Sequence, residues 1–473
     1  MPRFIHVSTL QAPRRRVFDW HTRPGSFVRE TPPGMATLLS GPTDGINPGS
    51  ELRLRISSPL IAALLPHLGG GPIGVGWHVR HVELVPGSRF VDEQVNGPFY
   101  HWRHEHDFAD GADGTTVLTD TVTWDAPQGI PDEWVEAHLR ALFRFRERQL
   151  RDDLDLFGRL DAAPTTVVMS GSSGLVGTQL RALLTAAGHR VVRLVRRDPT
   201  GPDEVRWDPR TLWLPKGTLR DVGVVINLAG ETIGGRFTRA RKAEILSSRV
   251  DATTTLAEAM AREAPHASLI QASAIGIYGP RRPGELLDES SPRGQGFLAD
   301  VVDAWERAAA PATRAGVRTV FMRTGIVLSG VGGALPPQVP LYLVGLGGRM
   351  ASADAVLSWV GLDDLALAYA HAAFTHTLSG PVPAVGPNPV TQAEFARALG
   401  GALHRPALLP TPSFGPRLVL GSEAYDQLID TDQRVSAAKL IGSGFRFGQV
   451  TVDEALRHAL LKPAATPASR PAR

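Results

Sequence analysis

The 473-residue chain contains no cysteine. A disulfide framework, a thiolate zinc site and a cysteine nucleophile are thereby excluded. The lack fits a reducing compartment, and a cytoplasmic protein is expected. Lysine is almost missing: of 50 basic residues only Lys216, Lys242, Lys439 and Lys462 are lysines. No run of about 18 apolar residues occurs, so no transmembrane helix is expected. The opening stretch MPRFIHVSTLQAPRRR has no apolar segment ahead of a small-residue cleavage site, so no signal peptide is read. An excess of one charge is also lacking. Fifty basic and 47 acidic residues leave a net charge of +3, which argues against an electrostatic nucleic-acid binder. With 42% hydrophobic and 21% charged residues, the chain reads as globular. At roughly 100–200 residues per domain it holds two to four domains.

One seam stands out. Residues 131–158 read as a long amphipathic helix, with Trp134, Leu139, Leu142, Phe143, Phe145, Leu150, Leu154 and Phe157 at roughly helical spacing. Pro131 suits the first turn and Gly158 a stop. A short linker ends at Pro164. The expected division is residues 1–160, residues 164–462 with a substrate part from about 335, and a disordered tail over 463–473. Ahead of the seam, strands are read at Arg3–Leu10, Leu52–Ile56, Gly74–Leu84, Arg89–Val95, Phe99–Phe108 and Thr116–Trp124, and a short helix at Ala12–Thr22.

This order, with the phrases VFDWHTRPGSFVRETPP and RFVDEQVNGPFYHWRHEHDF, resembles the START-like polyketide cyclase/dehydrase (SRPBCC) superfamily of hydrophobic-ligand binders. The resemblance covers roughly residues 3–158 and implies a helix-grip α+β fold around an apolar cavity. His101, His104 and His106 form a metal-like cluster there. His104 and His106 share a strand face with Tyr100, Trp102 and Phe108, but no third ligand is identifiable, so no metal is expected.

The second part opens with Thr165–Ser170, a β-branched run suited to a buried parallel strand. Gly171, Ser172, Ser173, Gly174, Leu175, Val176 and Gly177 follow, then a helix and a second strand, HRVVRLV. Glycines at this turn let the backbone approach a pyrophosphate, and the helix N-terminus offers free N–H donors. Dinucleotide binding is therefore expected. The second strand runs into Arg196 and Arg197. Arginines there suit a 2′-phosphate, which favours NADP over NAD; Asp198 could instead hold a ribose hydroxyl. Loops after later strands, at Leu228-Ala229-Gly230, at Ser273 through Gly279, and after Arg323, converge on the same strand ends.

The GxxGxxG spacing is that used by short-chain dehydrogenases/reductases. INLAGETI, ASAIGIYGP, FLADVVDAWE, RTGIVLS, SWVGLDDLA and ALHRPALLP resemble an atypical extended branch of them, the epimerase-family or SulA-like NAD(P)-binding proteins, in some bacterial members of which a START-like domain is fused. The resemblance covers about residues 165–460. It implies a doubly wound Rossmann sheet, a small C-terminal substrate domain and bound NADP(H).

Short-chain dehydrogenases use a Tyr with a Lys four residues on. The residues four before the lysines are Leu212, Thr238, Val435 and His458, so no such pair exists in this chain. The position implied by the resemblance holds Phe297 and Val301, which can neither transfer a proton nor supply charge. Three readings remain. One is an oxidoreductase with rebuilt acid–base groups, with Ser273, Tyr278 and Glu231 as catalytic candidates and a small hydrophobic substrate. Another is a non-catalytic NADP(H)-responsive sensor. The last is an enzyme whose first domain delivers substrate to the second. Lys242, Arg249 and the loop Gly345–Arg349 are further candidates for ligand contact, and Asp363 reads as readily as a helix N-cap.

Overall fold

The computed structural model describes residues 1–57, 74–160, 162–407 and 410–463. The expected tail from residue 464 on lies outside the described residues.

The first unit is an antiparallel sheet packed on one long helix. Its elements are β1 (Arg3–Leu10), α1 (Arg14–Thr22), α2 (Ser26–Glu30), β2 (Ala36–Ser40), β3 (Glu51–Ile56), β4 (Val75–Val85), β5 (Arg89–Asn96), β6 (His101–Asp110), β7 (Thr116–Asp125) and α3 (Asp132–Arg159). The sheet order is β1-β7-β6-β5-β4-β3-β2. Strict alternation along β6 buries Trp102, His104, His106 and Phe108 on the helix side. Helix α3 starts after Pro131, and the Trp124 indole donates to Asp132 at 2.9 Å. It buries Val135, Leu139, Phe143, Leu150 and Leu154, but Trp134 is 56% exposed. Trp134, one residue before buried Val135 and so turned off the apolar stripe, packs its ring against His138 instead, the two rings tilted by 41°.

The apolar cavity expected under this sheet is not found among the described residues. Aromatic rings and a cluster of histidines and carboxylates fill the space, leaving a void of about 10 Å³ beside His6, Glu30, Asp120 and Phe143. That is room for a single water.

The second unit is a parallel sheet of β8 (Thr166–Ser170), β9 (Arg190–Val195), β10 (Glu204–Arg206), β11 (Val224–Asn227), β12 (Ser268–Ala274), β14 (Arg318–Thr324) and β18 (Gly380–Ala384). Short strands β13 (Arg281–Leu287), β15 (Ile326–Leu328), β16 (Val356–Leu357) and β17 (Trp359–Gly361) lie outside it. The order β10-β9-β8-β11-β12-β14-β18 runs outward both ways from β8, the doubly wound pattern. Both faces are covered: Val167 and Met169 pack into one core, Val168 into the other. That is why β8 reads as an unbroken apolar run. The strand order reverses between β8 and β11, the switch point where such sheets bind ligands. No helix among the described residues is long and apolar enough to cross a membrane.

Candidate functional site

At the switch point, β8 ends in Ser170 and α4 (Leu175–Ala186) begins five residues later. Gly171 has φ +65°, and a Cβ on it would lie 2.6 Å from the Leu228 carbonyl. A Cβ on Gly177 would lie 2.1 Å from Gly171 O. Only glycine lets the loop fold so tightly against its own helix and the neighbouring strand end. Gly174 N donates to Gly171 O at 3.1 Å. Gly174 is the N-cap, with no side chain to cap the helix, and the first turn holds no acid. The backbone donors and positive dipole end there remain for an anion. Ser173 and Gly174 are exposed, so side chains do not block the turn. These features fit the pyrophosphate of a dinucleotide.

Beneath the loop lies a buried polar lattice. Ser170 Oγ donates to Asn227 Oδ1 at 2.6 Å, and Asn227 Nδ2 donates to Thr253 and Gln271 at 3.0 and 2.9 Å. Ala229 N also donates to Asn227 Oδ1. Asn227 thereby holds the Leu228-Ala229-Gly230 loop against β8.

The three arginines beyond the loop differ. Arg193 Nε donates to Ser172 Oγ at 3.1 Å, tying β9 to the glycine turn. Arg197 donates twice to Glu204, whose carboxyl is held down at about 2 by that pairing. Arg196 is exposed and enters no ion pair among the described residues. Asp198 points away to Arg206.

At the other end, Ser273 Oγ donates to Glu306 Oε1 at 2.6 Å. Arg323 grips both Glu306 oxygens at 2.9 Å and donates to the Tyr278 hydroxyl at 3.1 Å. Tyr278 donates in turn to Asp288 O at 2.7 Å. Tyr278 is fully buried, and burial pushes its pKa up, with Arg323 only partly opposing. Burial works against the Arg323 charge too, but Glu306 outweighs it and the net shift is upward. Ser273, Tyr278 and Arg323 are thus brought into one network, but as internal partners.

Glu231 stands apart from them. Its carboxylate pairs with Arg241 at 3.1 Å, and Arg249 donates to its carbonyl. Arg249 also lies over the Trp305 ring, and burial lowers its pKa to about 10. Lys242 pairs with Glu423. In the Gly345–Arg349 loop, a Cβ on Gly347 would strike the Tyr342 ring at 2.2 Å.

Asp363 makes no helix cap in α9, the helix Leu362–Phe374 that follows α5 (Arg239–Glu263), α6 (Phe297–Arg307), α7 (Ala310–Arg314) and α8 (Val339–Leu343). Its carboxylate accepts from Arg29 and Gln149, both at 2.9 Å, and lies 2.8 Å from His458 Nε2. Arg29 also grips Asp153 and reaches Gln179 on α4 at 3.1 Å. Sequence reasoning missed Arg29, Arg193, Asn227 and Glu306. The first is a lone arginine in a loop-like stretch, and the others sit at periodic positions that read as ordinary strand or helix.

Comparison with known proteins sharpens this picture. The family model described as NAD dependent epimerase/dehydratase matches residues 167–296. Two models described only as domains of unknown function match residues 8–154 and 411–459. An epimerase family protein of Mycobacterium bovis is 41% identical over 302 residues, 64% of this chain and 99% of that protein. The bovine epimerase family protein SDR39U1 is 36% identical over 62% of this chain and 99% of its own. Among solved structures, the nucleoside-diphosphate sugar epimerase from Corynebacterium glutamicum covers 97% of this chain and 90% of its own, with a TM-score of 0.79 at 33% identity. Human SDR39U1 (isoform 2), solved with NADPH, covers 62% of this chain and 99% of its own, with a TM-score of 0.56 at 30% identity. With a glycine cradle at the switch point of a parallel sheet, and that identity to nearly the whole of its relatives, the chain belongs to the epimerase family.

Proposed function

We propose that the second unit, residues 164–462, binds NADP(H) and serves as an oxidoreductase that works without a Tyr-x-x-x-Lys pair. The observation that carries this reading is the uncapped N-terminus of α4 behind Gly171, Gly174 and Gly177. Backbone donors of Ser172, Ser173, Leu175 and Val176 would hold the pyrophosphate, Gly174 N being engaged by Gly171 O. Arg196 would meet the 2′-phosphate, and Arg193 would orient that edge of the loop. The NADPH in the human relative supports the phosphorylated cofactor. When bound, NADP(H) supplies hydride exchange at its nicotinamide. Ser273, at the end of β12, is the hydroxyl available to orient a substrate oxygen, and Glu306 can take its proton through the 2.6 Å bond. Tyr278 holds Arg323 and the Asp288 turn in position rather than meeting substrate. The Leu228–Gly230 loop would line the cofactor.

A second reading, an NADP(H)-responsive binding protein, draws support from the engagement of the Ser273 and Tyr278 hydroxyls inside the fold. The first unit's sheet-on-helix order supports a START-like ancestry, and its boundary at residue 160 follows the end of α3.

The test is thermal denaturation with each cofactor. NADPH at about 100 times its dissociation constant adds about 2.7 kcal/mol and raises Tm by several degrees. Arg196→Ala weakens NADPH about tenfold, or 1.4 kcal/mol, and leaves NADH unchanged. No shift with either cofactor at millimolar concentration refutes the reading. Turnover of NADPH with a panel of carbonyl compounds, lost in Ser273→Ala, separates enzyme from sensor.

A further inference from the structure

The densest group of metal-binding side chains lies in the first unit, away from the cofactor cradle. Register sets His81 of β4 opposite Asp92 of β5, and Asp92 opposite His104 of β6. One pleat further along the same face, His106 stands opposite Asp120 of β7. All five therefore share one buried region between sheet and helix.

Their separations are informative. Asp92 Oδ2 lies 3.5 Å from His104 Nδ1 and 3.6 Å from His106 Nε2. Neither is a hydrogen-bond length. Two ligands bound tetrahedrally at zinc distances stand about 3.4 Å apart, so both separations match the edges of such a site. The three ligand atoms all fall within 4.8 Å of one another.

The far nitrogens of both rings turn to one carboxylate. His104 Nε2 hydrogen-bonds Asp120 Oδ1 at 3.2 Å, and His106 Nδ1 lies 2.7 Å from the same oxygen as an ion-pair contact without hydrogen-bond geometry. A carboxylate behind the ligating imidazole is how metal sites fix ring orientation. An independent observation comes from His81. Its side chain is buried, at 7% exposure, and its Nδ1 has no hydrogen-bond partner. A buried, unsatisfied ring nitrogen calls for a partner.

We propose that Asp92, His104 and His106 bind a divalent transition-metal ion of the zinc class, and that Asp120 orients the two imidazoles. Imidazole and carboxylate without thiolate suit such ions. The cation neutralises two carboxylates that the fold has taken out of water. Three protein ligands leave the fourth position to a water or another group.

The experiment uses the full chain, stripped with EDTA and then titrated with Zn²⁺ or Co²⁺ alone. Binding of about one equivalent per chain, a rise in Tm with Zn²⁺, and tetrahedral Co²⁺ absorption bands are expected. His104→Gln and Asp92→Asn abolish uptake. Asp120→Asn weakens it about 10–100-fold. His101→Gln, on the opposite face of β6, leaves it unchanged. If a ligand variant does not fold, the Co²⁺ spectrum of the unaltered protein decides. No uptake and no Tm shift with either ion overturns the proposal. So does unchanged uptake in folded His104→Gln, or a Co²⁺ spectrum that is not tetrahedral.

Discussion

In the parallel sheet, polar side chains collect where strands end; in the antiparallel sheet they sit in the middle of strands. Ser170, Asn227 and Ser273 each lie at or beside a carboxyl terminus of their strand. His81, Asp92, His104 and Asp120 lie well inside theirs. The difference follows from what covers each sheet. Both faces of the parallel sheet are sealed by helices, so only the strand ends are free for chemistry. The antiparallel sheet presents one face to a helix, and alternation lets a polar row stand there, provided its members satisfy one another.

The two regions also meet. Arg29 from the first unit is fully buried between Asp153 of its own unit and Asp363 of the second. Replacing it by methionine leaves Asp153 buried without its cation and Asp363 with only His458 and Gln149. The expected cost is about 3–5 kcal/mol, read as a lowered urea midpoint for the whole chain. If only one of two resolved transitions moves, the units are energetically separate.

A smaller effect is expected inside the second unit alone. Gly177→Val drives its Cβ into Gly171 O and spoils the cradle. The NADPH-induced rise in Tm should vanish, while the unliganded protein loses about 1–3 kcal/mol. Retention of NADPH binding would show that the turn is not the anchor.

The last contrast concerns acid. His189 and His371, both in the second unit, are held by burial at about 4, below their usual 6.5. Between those values the unfolded chain takes up protons that the folded chain refuses. Stability therefore falls as pH drops from about 6.5 to 4, by on the order of 2 kcal/mol for each histidine. His189 Nδ1 accepts from Thr165 N and its ring stacks on Phe374. His189→Phe keeps the stack and should flatten the pH slope of the urea midpoint. An unchanged slope would assign acid sensitivity elsewhere.

Legibility in the sequence followed the same division. The cradle is seven consecutive residues running from the end of a strand into the first turn of a helix, so its chemistry can be read locally. Its supporting groups cannot. Glu306 meets Ser273 across 33 positions, and Arg29 meets Asp363 across 334. The six strands read in the first unit reappear with ends shifted by at most two residues, because alternation marks them. Strand β2 (Ala36–Ser40) escaped, since most of it is exposed and its pattern carries no alternation. The pair His104 and His106 was visible, but its third partner was not. Asp92 belongs to another strand, and only register brings it alongside. An interior full of charge was equally invisible: periodicity tells which face is buried, not whether rings or ions fill it.

The grip of Arg29 on Gln179 has a practical bearing on dissection. Helix α4 carries the nucleotide cradle at one end and this contact partway along its length. A truncated chain beginning at residue 164 would hand Asp363 and Gln179 to bulk water and strip α4 of a brace. A lower NADPH affinity in such a truncated chain than in the full one would trace to this lost brace, and an equal affinity would show that the contact does not support the turn.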